Sequence, residues 1–382
     1  MEEKGINFNY DFHKHYNIKN IKNFYIGKGL CGLVNIGNKC FLNSILQCLS
    51  HTLKLTDYFT CGDYKNDINP IQKMNPEHFV LNSYILTLNA MWANNEIIKP
   101  KSFIENISKI HRKYYSLQQQ DSHEFLLFLL DILHKSIKYS VDIGINNNIS
   151  DQNNKNLKKL IKNSVDTWNN YFENDYSYIV ELFYGSKIDI KKCSNCDFKN
   201  EIFDPFNNLS LNIIDVENNI TFENLYDILR YNFKEEINID WNCEKCKKTG
   251  CSKKTELWTL PNYLIIHLKR FNHDNSCKLN NLIKFPLVDL NITEFISPLK
   301  QEKNNIKYIY DCYAINYHSG GTNGGHYYSA TKNLDNKWYL MNDGNINILN
   351  ESQLINSDCY ILFYQRKFLT QKHSLDDGIL QV

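Results

Sequence analysis

Two short glycine-rich segments near opposite ends of the chain, one with a cysteine and one with a histidine, constrain the fold most. Cys40 follows a glycine- and asparagine-rich stretch, and His326 lies in the second one, with Asn342 and Asp343 shortly after it. A cysteine, a histidine and a carboxamide or carboxylate are the three parts of a thiol hydrolase when they lie side by side. If these residues act together, the fold has to bring the two ends of the chain into contact.

The residues around Cys40 predict an irregular turn that leads into a helix. Residues 32–38 contain two glycines and two asparagines, which favour unusual backbone angles. Apolar residues then recur at the spacing of one helix face: Phe41, Ile45, Leu46 and Leu49. Cys40 would lie at the helix N-terminus, where free N–H groups favour a thiolate and stabilise an oxyanion, with Asn35 as a second donor. The alternative is that Cys40 is a small buried apolar side chain.

The segment around His326 predicts a glycine loop between strands. Residues 318–325 contain four glycines, and residues 313–317, 327–330 and 337–341 have the composition of strands. A hairpin would bring Asn342 or Asp343 beside His326 and hold its ring in one tautomer. The alternative is a core histidine among aromatic strands.

These two segments resemble the catalytic boxes of the ubiquitin-specific protease family, and four further segments agree in order. They are similar to its QQD-x-x-EF helix start, its LP…L-HLKRF strand, an FP pair and its closing strand: residues 118–126, 260–271, 285–286 and 360–364. The resemblance covers residues 29–366. It implies an α+β, papain-like cysteine protease fold with a helical thumb, a β-rich palm and zinc-ribbon-type β fingers.

The resemblance also implies an activity and a role for each site residue. The activity is hydrolysis of the (iso)peptide bond after the C-terminal glycine of ubiquitin, with Cys40 as nucleophile. His326 is the general base and then the general acid, and Asn342 orients it. Asn35 is the oxyanion-hole side chain, and Asp343 can assist.

One position departs from the family pattern. Lys39 precedes the nucleophile where the family usually has Thr. A cation there either favours the thiolate or points to solvent. We expect activity to survive the difference.

The segment that begins with Gln120 supplies candidate substrate contacts. Asp121 predicts a helix cap, with Glu124 completing a capping box. The buried face of that helix is expected to consist of Phe125, Leu126, Leu129, Leu130 and Leu133. Capping alone would explain Asp121, but the resemblance implies that it also faces the arginine-bearing tail of ubiquitin through a free carboxylate oxygen. The resemblance further places Gln120, Glu124, His318 and Tyr327 at the substrate, with Tyr327 as a wall of a channel for a Gly-Gly terminus.

Two CxxC pairs predict a metal site. Cys193 and Cys196 form the first pair, and Cys243 and Cys246 form the second. Two such turns supply the four-sulfur set that zinc prefers, and four filled positions indicate a structural ion that the chemistry does not need. Their wide separation matches the fingers of the resembled family. Disulfides, free thiols or a redox pair are the alternatives.

The interlocking motifs favour one catalytic domain with subdomains. The predicted boundaries are an N-terminal extension at 1–28, a thumb at 29–140, an asparagine-rich insertion at 141–175, fingers at 176–256, a palm at 257–366 and a tail at 367–382. The net charge of +1 does not indicate binding to nucleic acid or to a membrane. No signal-peptide pattern opens the sequence and the other cysteines show no regular framework, so the cytoplasm or nucleus is expected.

Other functions remain open on the sequence alone. A catalytically weak ubiquitin-binding pseudoenzyme would use the same palm and fingers as a docking surface. A non-catalytic zinc scaffold would explain the CxxC pairs but not the two catalytic boxes. Within the enzyme class, the modifier could be a ubiquitin-like protein, and an activating partner could act through residues 1–28.

Overall fold

The structure, a computed structural model, describes most of the chain. The described residues are 25–68, 72–143, 155–218, 220–271, 277–300, 307–322 and 324–367. Most of the predicted N-terminal extension, most of the asparagine-rich stretch and almost all of the tail lie outside these residues. Within them, no helix combines the length and apolar character needed to cross a membrane.

Helices occupy mainly the first half of the described chain. They are α1 (Cys40–Ser50), α2 (Leu53–Cys61), α3 (Pro76–Ala93), α4 (Lys101–Ile110), α5 (Ser122–Ile137), α6 (Lys155–Phe172), α7 (Tyr178–Phe183) and α8 (Leu225–Asn232).

Strands dominate the second half. They are β1 (Gly185–Cys193), β2 (Lys199–Phe206), β3 (Leu209–Asn212), β4 (Ile214–Asp215), β5 (Ile220–Thr221), β6 (Glu236–Asn242), β7 (Thr249–Thr259), β8 (Tyr263–Lys269), β9 (Leu290–Asn291), β10 (Ile309–Gly321), β11 (Gly324–Lys332), β12 (Trp338–Asn342), β13 (Asn345–Leu349) and β14 (Cys359–Arg366).

The thumb packs its helices around an aromatic core. Phe41 of α1 meets Phe125 of α5 edge-to-face with ring centroids 5.4 Å apart, and Tyr114 meets Phe125 at the same distance. The predicted buried face of α5 is confirmed. Helix α1 differs from its amphipathic pattern, because all eleven of its residues are buried. Helix α1 is therefore enclosed on every side.

The palm is an eight-stranded sheet that separates two apolar cores. Its strand order is β13-β12-β11-β10-β14-β8-β3, with β9 beside β10, and all its pairs except β3–β8 are antiparallel. Successive side chains of a strand point to opposite faces. In β8, Tyr263 and Ile265 join the thumb core, while Leu264 and Ile266 join the second core. Strand β8 is accordingly buried along almost its whole length.

The fingers are a separate four-stranded sheet with the order β2-β1-β7-β6. Its central pair is antiparallel, with Lys187 opposite Leu257 near the palm and Cys193 opposite Cys251 at the far end. Trp258 packs edge-to-face on Phe203 at 5.1 Å, at the base of the sheet. The two CxxC pairs lie at the far end.

The structure departs from the predicted internal boundaries in two places. Residues 155–172, within the predicted insertion, form the helix α6, which packs Leu157 and Leu160 on the base of the fingers. The segment from β3 to α8 lies within the predicted fingers but packs on the palm, because β3 extends the palm sheet beside β8. The chain therefore enters the fingers twice, at 185–206 and again at 236–259.

A buried asparagine joins the thumb to the palm. Asn316 of β10 is fully buried, and its Oδ1 accepts a hydrogen bond from the Ser122 hydroxyl of α5 at 2.8 Å. Its Nδ2 donates to the Ser44 hydroxyl of α1, also at 2.8 Å. One carboxamide thus ties α1, α5 and the central palm strand together.

We predict that Asn316→Ala lowers the free energy of unfolding by about 1–3 kcal/mol, because it leaves two buried hydroxyls without their partner. Asn347→Ala on exposed β13 is the control and should change stability by less than about 0.5 kcal/mol. Denaturant titration of both variants gives the comparison. Equal losses in the two variants would contradict the assigned role.

Candidate active site

The turn before Cys40 has the irregular backbone that its composition predicts. Gly37 and Asn38 have φ angles of 65° and 62°, in the left-handed region that glycine and asparagine tolerate best. The backbone N–H of Lys39 donates to Asn35 Oδ1 at 2.7 Å, which closes the turn. Helix α1 then begins at Cys40, so the predicted helix-terminal position of this thiol is confirmed. Its side chain is enclosed, with 1% of the residue exposed.

His326 lies between Cys40 and Asn342. Its Nε2 is 2.6 Å from Asn342 Oδ1, and the ring also hydrogen-bonds the Cys40 thiol. A carboxamide oxygen only accepts, so Nε2 carries the proton and Nδ1 is left for the thiol. The bond with Cys40 raises the pKa of His326 to about 9 against the effect of burial, with Asn342 and the charge of Asp343 acting in the same direction. The imidazole is therefore readily protonated beside the thiol.

Asp343 connects the two sides of the cleft. Its Oδ2 accepts from Asn35 Nδ2 at 3.0 Å and lies 3.9 Å from His326 Nε2, while its Oδ1 accepts from Asn43 Nδ2 at 2.8 Å. The backbone N–H of Leu33 donates to the backbone carbonyl of Asp343 at 2.8 Å. The Cys40 turn, α1 and the palm hairpin thus meet at one carboxylate. An amide nitrogen has two N–H groups, so Asn35 keeps a donor beyond this bond.

Lys39 does not point to solvent, so that alternative is wrong. Only 3% of the residue is exposed. Its Nζ donates to the backbone carbonyls of Gly37 at 3.1 Å and Ser116 at 2.5 Å. Burial lowers the pKa of Lys39, and the charge of Cys40 acts in the opposite direction.

Asp121 caps α5 as predicted, but it keeps no free oxygen. Its Oδ1 accepts from the backbone N–H of Glu124 at 2.9 Å. Its Oδ2 accepts from the hydroxyls of Tyr360 at 2.6 Å and Tyr327 at 3.4 Å. The expectation of an unoccupied oxygen is therefore wrong, because two tyrosines from the palm reach the carboxylate. The Glu124 side chain pairs with Lys113 and does not complete the capping box.

The remaining predicted substrate residues lie along the same cleft at different depths. Gln120 is half-buried, whereas His318 and Tyr327 are each 4% exposed and pack ring to ring with centroids 4.5 Å apart. Burial, together with the charge of Lys278, lowers the pKa of His318 to about 4. This ring is therefore neutral near pH 7.

The four cysteines of the CxxC pairs form one cluster. Cys193 Sγ is 3.7 Å from Cys246 Sγ, and Cys196 Sγ is 3.6 Å from Cys243 Sγ; all four sulfurs lie within 4.8 Å of one another. Four sulfurs bound to a tetrahedral zinc at about 2.3 Å would lie about 3.8 Å apart. The donor set and its spacing therefore fit zinc.

The two CxxC turns have the same backbone form. The residue after each second cysteine has a positive φ, 54° at Asp197 and 60° at Lys247. The backbone N–H of each first cysteine donates across its turn, from Cys193 to the carbonyl of Phe198 at 2.9 Å and from Cys243 to the carbonyl of Lys248 at 3.0 Å. Two matching turns that face each other make a closed set of four ligands.

Comparison with known proteins decides the family. The model of the ubiquitin carboxyl-terminal hydrolase family matches residues 31–364. The chain belongs to this family. The resemblance indicated by the sequence motifs is thus confirmed, and so is the α+β fold with thumb, palm and fingers.

Relatives within the ubiquitin carboxyl-terminal hydrolase family align over most of the chain. Ubiquitin carboxyl-terminal hydrolase Usp2 of Drosophila melanogaster is 34% identical over 352 residues, 89% of this chain and 35% of that protein. Ubiquitin carboxyl-terminal hydrolase 2 of Bos taurus is 32% identical over 350 residues, 88% of this chain and 55% of that protein. The chain therefore spans about a third to about a half of the length of these relatives.

A solved structure shares the fold. The SAGA Ubp8/Sgf11/Sus1/Sgf73 DUB module bound to ubiquitin aldehyde superposes with a TM-score of 0.68 at 25% identity. The match covers 90% of this chain and 70% of that one.

Sequence reasoning missed several residues that hold the site together. The Gln119 carboxamide forms hydrogen bonds with both backbone groups of Gly325: its Oε1 accepts from the N–H at 2.8 Å, and its Nε2 donates to the carbonyl. These bonds join the segment before α5 to the start of β11, beside His326. Asn43 and Tyr360 are the others, through their bonds to Asp343 and Asp121. A polar residue inside the apolar α1 pattern was the available signal for Asn43.

We predict that Asn342→Ala moves the pKa of His326 from about 9 towards its ordinary value near 6.5, because a bond that favours the protonated ring is lost. The ring resonance of His326, assigned with His326→Gln, gives this pKa by NMR titration. Asn342→Asp keeps an acceptor at the same place and should hold the pKa at or above 9. An unchanged pKa in Asn342→Ala would show that the bond does not act on the ring.

Proposed function

We propose that this chain is a thiol-dependent ubiquitinyl hydrolase with Cys40 as its nucleophile. The observation that carries the proposal is His326, held between the Cys40 thiol and the Asn342 carboxamide. This is the arrangement that thiol acyl transfer requires: a nucleophile, a base within reach and a group that fixes the base. Membership of the ubiquitin carboxyl-terminal hydrolase family supports the substrate class.

The first half of the proposed reaction forms a thioester. His326 Nδ1 takes the thiol proton, and the Cys40 sulfur attacks the carbonyl carbon of the terminal glycine of ubiquitin. The carbonyl electron pair moves to oxygen and gives a tetrahedral oxyanion. When this electron pair returns to form the carbonyl again, the C–N bond breaks. The protonated His326 then gives its proton to the leaving lysine amine. The raised pKa of His326 suits this second task, because the ring keeps the proton until the amine needs it.

The second half hydrolyses the thioester. His326 removes a proton from water, the hydroxide attacks the same carbonyl carbon and the C–S bond breaks. The protonated His326 returns this proton to the Cys40 sulfur, and ubiquitin leaves with a free carboxyl group that ionises in solution. Asn342 keeps the ring oriented in both halves through Nε2.

We assign the oxyanion to the start of α1 and to Asn35. The first N–H groups of a helix have no acceptor within the helix, and α1 begins at Cys40. Asn35 is positioned by its bonds to Lys39 and Asp343, with one N–H left over. Removal of one such donor typically lowers kcat about 100- to 1,000-fold. Asp343 assists by holding Asn35 and by its charge near His326.

We propose that the cleft walls select the tail of ubiquitin. A structurally similar protein was solved with ubiquitin aldehyde, which supports ubiquitin as the partner here. Asp121 contributes its negative charge, with its carboxylate fixed by Tyr327 and Tyr360, and Gln120 and Glu124 lie on the same wall. The ring of His318 packs against the ring of Tyr327. Ubiquitinated proteins are the corresponding substrates.

We propose that zinc binds the four-cysteine cluster as a structural ion. Cys193, Cys196, Cys243 and Cys246 fill all four positions of a tetrahedral site, so none is left for water or substrate. The ion would fix the far end of the fingers. Both this cluster and the thiol nucleophile need reduced sulfur, which supports the cytoplasm or nucleus as the place of action.

Reaction with ubiquitin that carries a C-terminal electrophile tests the proposed activity. We predict one covalent adduct on the wild-type protein, detected by intact mass, and none on Cys40→Ser. Cys277→Ser removes an exposed thiol outside the site and should still form the adduct. Loss of the isopeptide bond in a diubiquitin substrate should follow the same pattern.

The adduct also separates the proposed activity from its alternatives. An adduct that persists in Cys40→Ser would show that another cysteine is the nucleophile. Binding of ubiquitin without an adduct would overturn the proposal in favour of a pseudoenzyme. Reaction with a ubiquitin-like modifier alone would change the substrate class.

Metal analysis tests the proposed ion. We predict about one zinc per chain in the wild-type protein and loss of zinc in Cys243→Ser, because a structural site needs its four thiolates. The same variant should unfold at a lower temperature, since the far ends of β1 and β6 lose their link. Cys277→Ser is the matched control and should keep its zinc. A wild-type protein without zinc at full stability would contradict the assignment.

A further inference from the structure

We propose that Lys39 is a positioning residue whose charge stabilises the thiolate of Cys40. The inference rests on the proposed role of Cys40 as nucleophile and adds a second cation to the site, besides His326. It starts from the place of Lys39 in the fold, directly before α1 and enclosed between the Cys40 turn and the loop at Ser116.

Lys39 lies in an unfavourable place for a cation. Only 3% of the residue is exposed, and it occupies the N-cap position of α1, where the helix dipole favours negative charge. Removal of an ammonium group from water raises its free energy unless an anion or several acceptors compensate. A lysine retained here needs a compensating partner.

The neutral partners of Lys39 do not explain its charge. Its Nζ donates to two backbone carbonyls, at Gly37 and Ser116, and a neutral donor could make either bond. Among the described residues, no carboxylate lies within ion-pair distance of Nζ. Cys40 follows Lys39 directly as the first residue of α1, and its negative charge acts to raise the pKa of Lys39 against the larger effect of burial. The thiolate is therefore the anion that can compensate this buried cation.

Several other groups face the Cys40 thiol and have to be separated from Lys39. His326 approaches it from β11, with Asp343 behind the ring at 3.9 Å from Nε2. The hydroxyl of Tyr327 lies nearby on the same strand. His326 forms the direct contact, whereas Lys39 lies at the N-cap of α1 with its Nζ on the carbonyls of Gly37 and Ser116. The two cations should thus favour the thiolate independently.

Alkylation of Cys40 by iodoacetamide measures this effect without ubiquitin. The reagent is small and uncharged, and its rate follows the fraction of thiolate. The rate at Cys40, read from the mass of its peptide, is compared at pH 6 and pH 10 in the wild type and in Lys39→Met. We expect the variant to react about tenfold more slowly at pH 6 and at the wild-type rate at pH 10, where the thiolate forms without help.

Further variants separate charge from packing. Lys39→Gln keeps a neutral N–H donor and should behave like Lys39→Met, which also gives the answer if the methionine variant does not fold. Lys39→Arg keeps the charge and should restore much of the rate at pH 6. In a His326→Ala background, Lys39→Met should still slow alkylation at pH 6. This last result would show that Lys39 does not act through the imidazole.

Two outcomes would overturn the proposal. Equal slowing at pH 6 and pH 10 would show that Lys39 only holds the turn against the loop at Ser116. Wild-type rates in both neutral variants would show that the charge has no effect on the thiol. Because iodoacetamide reports on the thiol alone, these results are independent of whether the protein cleaves ubiquitin.

Discussion

Burial of α1 on every side is the constraint on which the rest of the structure depends. A polar side chain on such a helix needs a partner, because a buried group without one raises the free energy of the fold. Asn43 is paired with Asp343, Ser44 with Asn316, and Gln47 donates to a carbonyl before the turn. These partners come from the palm hairpin, the central palm strand and the N-terminal segment. The bonds that these side chains form therefore also hold α1 against the palm and the N-terminal segment.

The features that follow from local sequence were predictable. The turn at Gly37, the start of the helix at Cys40 and the cap at Asp121 depend on neighbouring residues and on glycine or short polar side chains, which leave a clear pattern. The expected hairpin predicted that Asn342 or Asp343 would lie beside His326, and the family resemblance selected Asn342, whose Oδ1 is 2.6 Å from His326 Nε2. The four-cysteine cluster was predictable for a similar reason, since few other arrangements use two CxxC turns.

The features that sequence reasoning missed depend on contacts between distant segments. Whether Lys39 faces solvent is decided by the loop at Ser116, and whether Asp121 keeps a free oxygen is decided by tyrosines of the palm. Gln119 and Gln120 are adjacent amides, and only the position of Gly325 distinguishes their roles. The predicted extent of the fingers differs from the structure for the same reason. The pairing of β3 with β8, far along the chain, assigns that segment to the palm.

The double passage of the chain through the fingers has a consequence for the order of folding. The two excursions are far apart in sequence, and they meet at the base, where Lys187 faces Leu257, and at the tip, where Cys193 lies 3.7 Å from Cys246. Each meeting closes a long loop and lowers the entropy of the chain. Once either end has closed, the other end has far less entropy to lose. Pairing at the palm and sulfur clustering at the tip therefore favour each other across the length of the sheet, without direct contact.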